Sequence, residues 1–128
     1  MAEIIVFRSN EIPKLDYPEI ENLLGALGVE QGLRVFERVL FEISDKLCEL
    51  ELAVFDGDLE TAKRTAKSLH TLSPQVGLAC LAHVANDLLE VILFENPDVL
   101  AAVCHRLVCL GEACLFQMAE LPRVLADQ

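Results

Sequence analysis

The chain has 128 residues, 53% of them apolar, and 21 acidic residues against 10 basic ones give a formal net charge of −11. That length fits one domain with a single core, and the charge argues against nucleic acid or an anionic membrane surface as a partner, since both would repel it. Five cysteines (Cys48, Cys80, Cys104, Cys109 and Cys114) make an odd count with no C-x-x-C pair, so reduced core thiols in a cytoplasmic protein are expected.

Residues 1–15 read as an N-terminal arm: Ile4, Ile5, Val6 and Phe7 are apolar, Pro13 stops a helix from running through, and no secretory leader is recognisable. A helical domain is expected over 16–122, followed by a frayed tail over 123–128. Asp16, Pro18 and Glu19 mark the start of a short first helix with Ile20, Leu23, Leu24 and Leu27 on its apolar face and Gly28 at its end. In the second helix Val29, Leu33, Phe36, Leu40, Ile43, Leu47, Leu50 and Val54 recur in steps of four and three, the pattern of a bundle seam. Gly57 ends it, and Asp58 is placed to cap the next helix by accepting from the amides two and three residues on.

The third helix is predicted to bury Leu59, Ala62, Ala66, Leu69, Ser73 and Val76. Its opposite face carries Lys63, Lys67, His70 and Pro74, flanked by Arg64 and Thr71. A basic, histidine-bearing ridge on an acidic body suits an acidic partner. The competing reading is an ordinary solvated face whose cations pair with Glu60. Pro74 has no amide for the carbonyl of His70, so the helix is expected to kink there or finish near Leu72, with Gly77 closing the turn.

A fourth helix points Leu78, Leu81, Ala85, Leu88 and Ile92 inward and His83, Asp87 and Glu90 outward. Asn96 and Pro97 open a fifth, with a seam of Leu100, Val103, Leu107, Leu110, Cys114, Gln117 and Leu121, ended by Pro122. The apolar passages 78–94 and 99–110 are broken by acids or too short to cross a bilayer. Helix five has little polar cover, so it is buried on several sides, covered by the arm, or part of a weak homodimer interface. Short loops favour antiparallel neighbours, and the fold class is all-α: an up-and-down four-helix bundle with a short additional N-terminal helix. Cys80 and His83, with Cys104 and His105, lack a second pair at metal-ligand spacing, so no metal is expected. Asp87 and Glu90 have the spacing of any solvated helix face.

Residues 58–90 resemble the histidine phosphotransfer (HPt) domain of bacterial multistep phosphorelays. The family pattern is A-H-x-L-K-G, followed some six residues on by a glycine and a small or apolar residue. Ala66, Lys67, Ser68, Leu69, His70 and Thr71 occupy that hexad, and Val76, Gly77 and Leu78 occupy the turn. The resemblance covers most of the chain, from about Leu15 to the end of helix four. It implies a bundle that exchanges a phosphoryl group with the receiver domain of a response regulator, which supplies Mg²⁺, so the chain needs no cofactor of its own.

The departures fall on the chemistry. Lys67 stands at the family's phospho-histidine position, His70 at its lysine and Thr71 at its glycine. An exposed lysine is protonated near neutral pH, with a reference pKa of about 10.4, and has no lone pair to attack with. His70 lies three residues on, about 60° around the helix and about 4.5 Å along it. His70, Thr71 and Leu72 repeat the His-x-Leu pattern, but Gly77 is then three residues too near. Three functions stay open: a docking module for a receiver or sensor kinase that uses Lys63, Arg64, Lys67, His70, Thr71 and Pro74; a phosphotransfer protein carrying the phosphoryl group on His70; and an oligomerisation protein unrelated to relays, sensitive to polar substitution at Val103 or Leu110.

Overall fold

Most of the helices begin or end where short-range chemistry puts them. In the computed structural model, which describes residues 13–120, helix α1 (Tyr17–Leu27) starts at Asp16, whose carboxylate accepts from the amide of Glu19 at 3.2 Å. Pro18 sits in the first turn, where a missing N–H leaves no helical bond unmade. Helix α2 (Val29–Asp56) ends at Gly57, whose φ of 75° is the left-handed cap favoured by glycine. Helix α3 (Leu59–Leu72) is capped by Asp58 and passes into one 3₁₀ turn, Ser73–Val76. Helix α4 (Ala79–Ile92) follows, and Asn96 opens α5 (Pro97–Ala119) by accepting from the amides of Asp98 and Val99.

Helix α2 packs on α3, α3 on α4 and α4 on α5, while α5 returns to α2. The buried surface is continuous: Phe36, Ile43, Leu47 and Leu50 of α2 share a core with Ala62, Ala66 and Leu69 of α3, with Leu81, Ala85 and Leu88 of α4, and with Leu107, Leu110 and Cys114 of α5. Each large aliphatic side chain removed from water there contributes roughly 1.5–3 kcal/mol before its ordering entropy is subtracted. Helix α1 lies against α2 and the turn after α3. It is pinned there by the Asp16 amide donating to the carbonyl of Gly77 at 3.0 Å. Gly77 has φ 77°, and a Cβ on it would come within 2.7 Å of Ile20 Cγ1, so both conformation and space require glycine.

The described residues are all-helical, with five helices packed together. Several expectations need correction. Val29, Leu27 and Leu59 fall on the predicted apolar faces but are exposed, at 56%, 45% and 38%; each is the first or last residue of its helix. The choice left open at Pro74 resolves to termination: α3 ends at Leu72 and is not kinked. Asp87 is half-buried, its carboxylate held by Arg106 of α5 at 3.2 Å. Helix α5 is longer than the apolar run within it: its 23 residues reach the length and hydropathy of a membrane span, because Arg106 and Glu112 interrupt the sequence without ending the helix. In the fold it buries Leu100, Cys104, Leu107, Val108, Leu110, Gly111, Cys114 and Met118 against α2 and α4, while Val99 and Phe116 stay exposed. Leu110 is 2% exposed, so a polar residue there would disrupt the core before it reported on any dimer. The arm over 1–12, Leu121, Pro122 and the tail over 123–128 lie outside the described residues.

Candidate functional site

The face α3 turns to the core is narrow and dry. Ala62, Ala66 and Leu69 have no exposed surface, Thr65 and Val76 have 1%, and Ser73 has none. Two alanines at a four-residue interval bring the helix close to its neighbours, and this inward face fixes what points out. Lys63, Arg64, Lys67, His70, Thr71 and Pro74 are all exposed. The ridge exists as a surface.

Its members are held differently. At the N-terminus the Asp58 carboxylate accepts from the Thr61 amide at 3.1 Å and from the Thr61 hydroxyl at 2.7 Å; of the two amides expected, only the one three residues on is used. The Thr61 hydroxyl and amide hold the Asp58 carboxyl below its ordinary value, with a smaller contribution from the Arg64 charge. The Arg64 guanidinium donates to the Thr61 hydroxyl at 3.3 Å and so leans toward the cap. Among the described residues, no ion pair joins Glu60 to Lys63, Arg64 or Lys67.

The C-terminal half carries the imidazole. His70 Nδ1 lies 3.1 Å from the carbonyl oxygen of Ala82 in α4. A carbonyl only accepts, so Nδ1 is the donor and carries the proton, and in the neutral ring Nε2 keeps its lone pair. Local backbone bonds finish the helix. The Thr71 hydroxyl donates to the Lys67 carbonyl at 3.1 Å, and the Gln75 side-chain amide donates to the Thr71 carbonyl at 3.3 Å. The Gln75 side chain thus caps a carbonyl at the end of the α-helix, just before the 3₁₀ turn that contains Pro74.

Beside the ridge, α2 and α3 enclose an open cleft of about 440 Å³ lined by Glu42, Lys46, Arg64, Lys67, Ser68, Thr71 and Leu72. In the sequence Glu42 and Lys46 merely fall off the apolar seam of α2. Their place next to Lys67 is a product of the α2–α3 packing, and no periodicity within either helix signals it. Lys46 adds a fourth cation beside the three of α3, and Glu42 a single acid; Lys46 is also 3.7 Å from Glu49. The His70–Ala82 contact, spanning twelve residues across a turn, was equally invisible.

The other candidate groups disperse. Cys80 meets Cys114, Cys109 lies 3.5 Å from His105, and His83 is exposed, so the four residues weighed for zinc do not gather. Among the described residues no three His, Cys, Asp or Glu side chains form a metal-sized group. A second groove, about 510 Å³ and mostly apolar, runs between α2 and the end of α5, with Leu33, Phe36, Leu40, Leu115 and Met118 in its wall.

No family model, curated protein or solved structure matches this chain. The ridge and its chemistry therefore carry the functional reading by themselves.

Proposed function

We propose that this chain is an HPt-like module of a bacterial two-component phosphorelay. In this reading α2–α5 are an antiparallel up-and-down four-helix bundle, with α1 as the additional short helix. The module docks the receiver domain of a response regulator, or a sensor kinase, through α3. The observation that carries the reading is the exposed row of Lys63, Lys67, His70 and Pro74, on a helix whose other face is sealed in the core of a protein of net charge −11. A cationic edge on an acidic body steers an acidic surface to one place and repels it elsewhere. Lys46 and Arg64 widen the edge across the cleft to α2.

Titration of a receiver domain from the same host against the wild-type chain and Lys67→Glu tests this. Reversing one exposed charge is expected to weaken binding by about three- to tenfold, most at low salt, with no change in melting. Affinity that ignores Lys67→Glu and salt alike refutes ridge docking.

A second reading, in which His70 accepts the phosphoryl group, is favoured by the Ala82 contact. The lone pair of Nε2 attacks the phosphorus of a receiver aspartyl phosphate; the N–P bond forms as the P–O bond breaks, and the aspartate leaves as a free carboxylate. Nδ1 keeps its proton on the Ala82 carbonyl, and Lys67 lies one turn away to offset the new charge. Mg²⁺ belongs to the receiver. Acid-labile label that passes from phosphorylated receiver to the wild-type chain and is lost in His70→Ala supports this reading. Binding without transfer leaves a docking module that modulates the relay.

A further inference from the structure

Two thiols from different helices face each other away from the ridge. Cys80, in the first turn of α4, and Cys114 of α5 bring their sulfur atoms to 3.9 Å across 34 residues of sequence. Cys80 is half-buried and Cys114 has no exposed surface, so solvent and small oxidants reach the pair from the Cys80 side. A disulfide needs its sulfurs about 2.05 Å apart, so the pair has to close by about 2 Å to form one. The other thiols are differently placed: Cys104 is buried, Cys109 lies against His105, and Cys48 is exposed on α2.

We propose that Cys80 and Cys114 form a reversible disulfide when the protein meets a peroxide. The Cys80 thiolate attacks one oxygen of the peroxide, which breaks the O–O bond and leaves a sulfenic acid on Cys80 and hydroxide. The Cys114 sulfur then attacks the Cys80 sulfur; the S–O bond breaks, the S–S bond forms, and the thiol proton departs with the hydroxyl as water. A dithiol reductant reverses the link by exchange. Reactivity follows the thiolate, and the pair divides the roles. The contact with the Cys114 thiol draws Cys80 below its ordinary value, while Cys114 is raised by the same contact and by burial. Burial, with Glu51 nearby, likewise pushes Cys104 up to about 11. The link sits at a junction: the Cys80 sulfur also contacts the Lys14 carbonyl at 3.5 Å, and Ala82, which holds His70, is two residues on. Oxidation thus ties the start of the helix that orients His70 to α5.

Titration of the whole chain with hydrogen peroxide, followed by blocking of free thiols and tryptic mass spectrometry without reduction, tests the proposal. Trypsin leaves Cys80 with Cys104 in residues 68–106 and Cys109 with Cys114 in residues 107–123, so substitutions identify the pair. The expected result is an intramolecular link between these peptides with a loss of ~2 Da, reversed by dithiothreitol. The link survives Cys109→Ser and Cys104→Ala and is absent from Cys80→Ser. Cys114→Ala, a core variant whose folding circular dichroism checks, is expected to lose the link as well, and its Cys80, without the neighbour that lowers it, to react with peroxide more slowly than in the wild type. Should Cys114→Ala not fold, Cys80→Ser on the half-buried side decides alone. A link that persists in Cys80→Ser, or peroxide that oxidises Cys48 or Cys109 while Cys80 and Cys114 stay free, overturns the proposal.

Discussion

Two glycine-to-alanine substitutions, both inside helices, should change stability in opposite directions. By intrinsic propensity each should stabilise by about 0.5–1 kcal/mol, since alanine loses less backbone freedom on folding. At Gly25 of α1 nothing lies within 4 Å of where a Cβ would stand, so Gly25→Ala realises that gain, reduced somewhat by its place in the last turn. At Gly111 of α5 the Cβ would collide with the Leu47 side chain of α2, reaching one methyl and lying 3.1 Å from the other and 3.3 Å from Cγ. Rotating one methyl does not clear three atoms, and Leu47 is only 4% exposed, so the whole side chain or the helix must move. Overpacking of this kind costs about 1–3 kcal/mol, which leaves Gly111→Ala destabilised by up to ~2 kcal/mol after the propensity gain.

A double-mutant cycle isolates the contact. Leu47→Ala alone should cost about 2–5 kcal/mol by opening a cavity. Adding Gly111→Ala to it should cost nothing further, giving a coupling of about 1–2 kcal/mol in urea unfolding monitored by circular dichroism. Simple additivity, or a Gly111→Ala protein as stabilised as Gly25→Ala, would refute the close approach of α5 to α2 and with it the packing that closes the helices on one another.

The capping of α3 sets a pH dependence. The folded Asp58 carboxyl is lowered, so its contribution is complete above the ordinary value of 3.8 and is lost as pH falls through the folded value. The melting difference between wild type and Asp58→Ala should therefore shrink on acidification, and a difference unchanged at the acid end would contradict the cap. For His70, long-range nitrogen–proton NMR on the neutral ring should find the proton on Nδ1; a proton on Nε2 would mean that the Ala82 contact is not made. Two neighbours on α3 should part company in thermal and urea melts. Leu69→Ala, with no exposed surface, should lose about 2–5 kcal/mol, while Lys67→Glu stays within about 0.5 kcal/mol. Equal losses from the two would mean that the inward and outward faces of α3 are misassigned.

The boundaries of the helices were written locally. A carboxylate or amide at a first position, a proline beside it and a glycine after the last turn act over three or four residues, so Asp16, Gly57, Asp58, Gly77, Asn96 and Pro97 could be read one window at a time. Periodicity likewise placed Ala62, Ala66 and Leu69 inward and Lys63, Lys67 and His70 outward, because the 3.6-residue turn fixes relative direction whatever packs against it. The same rule failed at Val29, Leu27 and Leu59, since a stripe shows which way a side chain points and not whether a neighbour is there to cover it.

The contacts that give the surface its chemistry lie between helices. Lys46 and Glu42 reach the ridge only through the packing of α2 on α3. The imidazole of His70 has a defined tautomer because α4 offers the Ala82 carbonyl, and Cys80 has a thiol partner because α5 passes within 3.9 Å. From its order of residues alone this protein specified a helical domain, its caps, and one helix with a cationic outer edge. The tertiary structure decided which groups from distant segments stand beside that edge, because hydrogen bonds and sulfur contacts act over a few ångströms of space and take no account of separation along the chain.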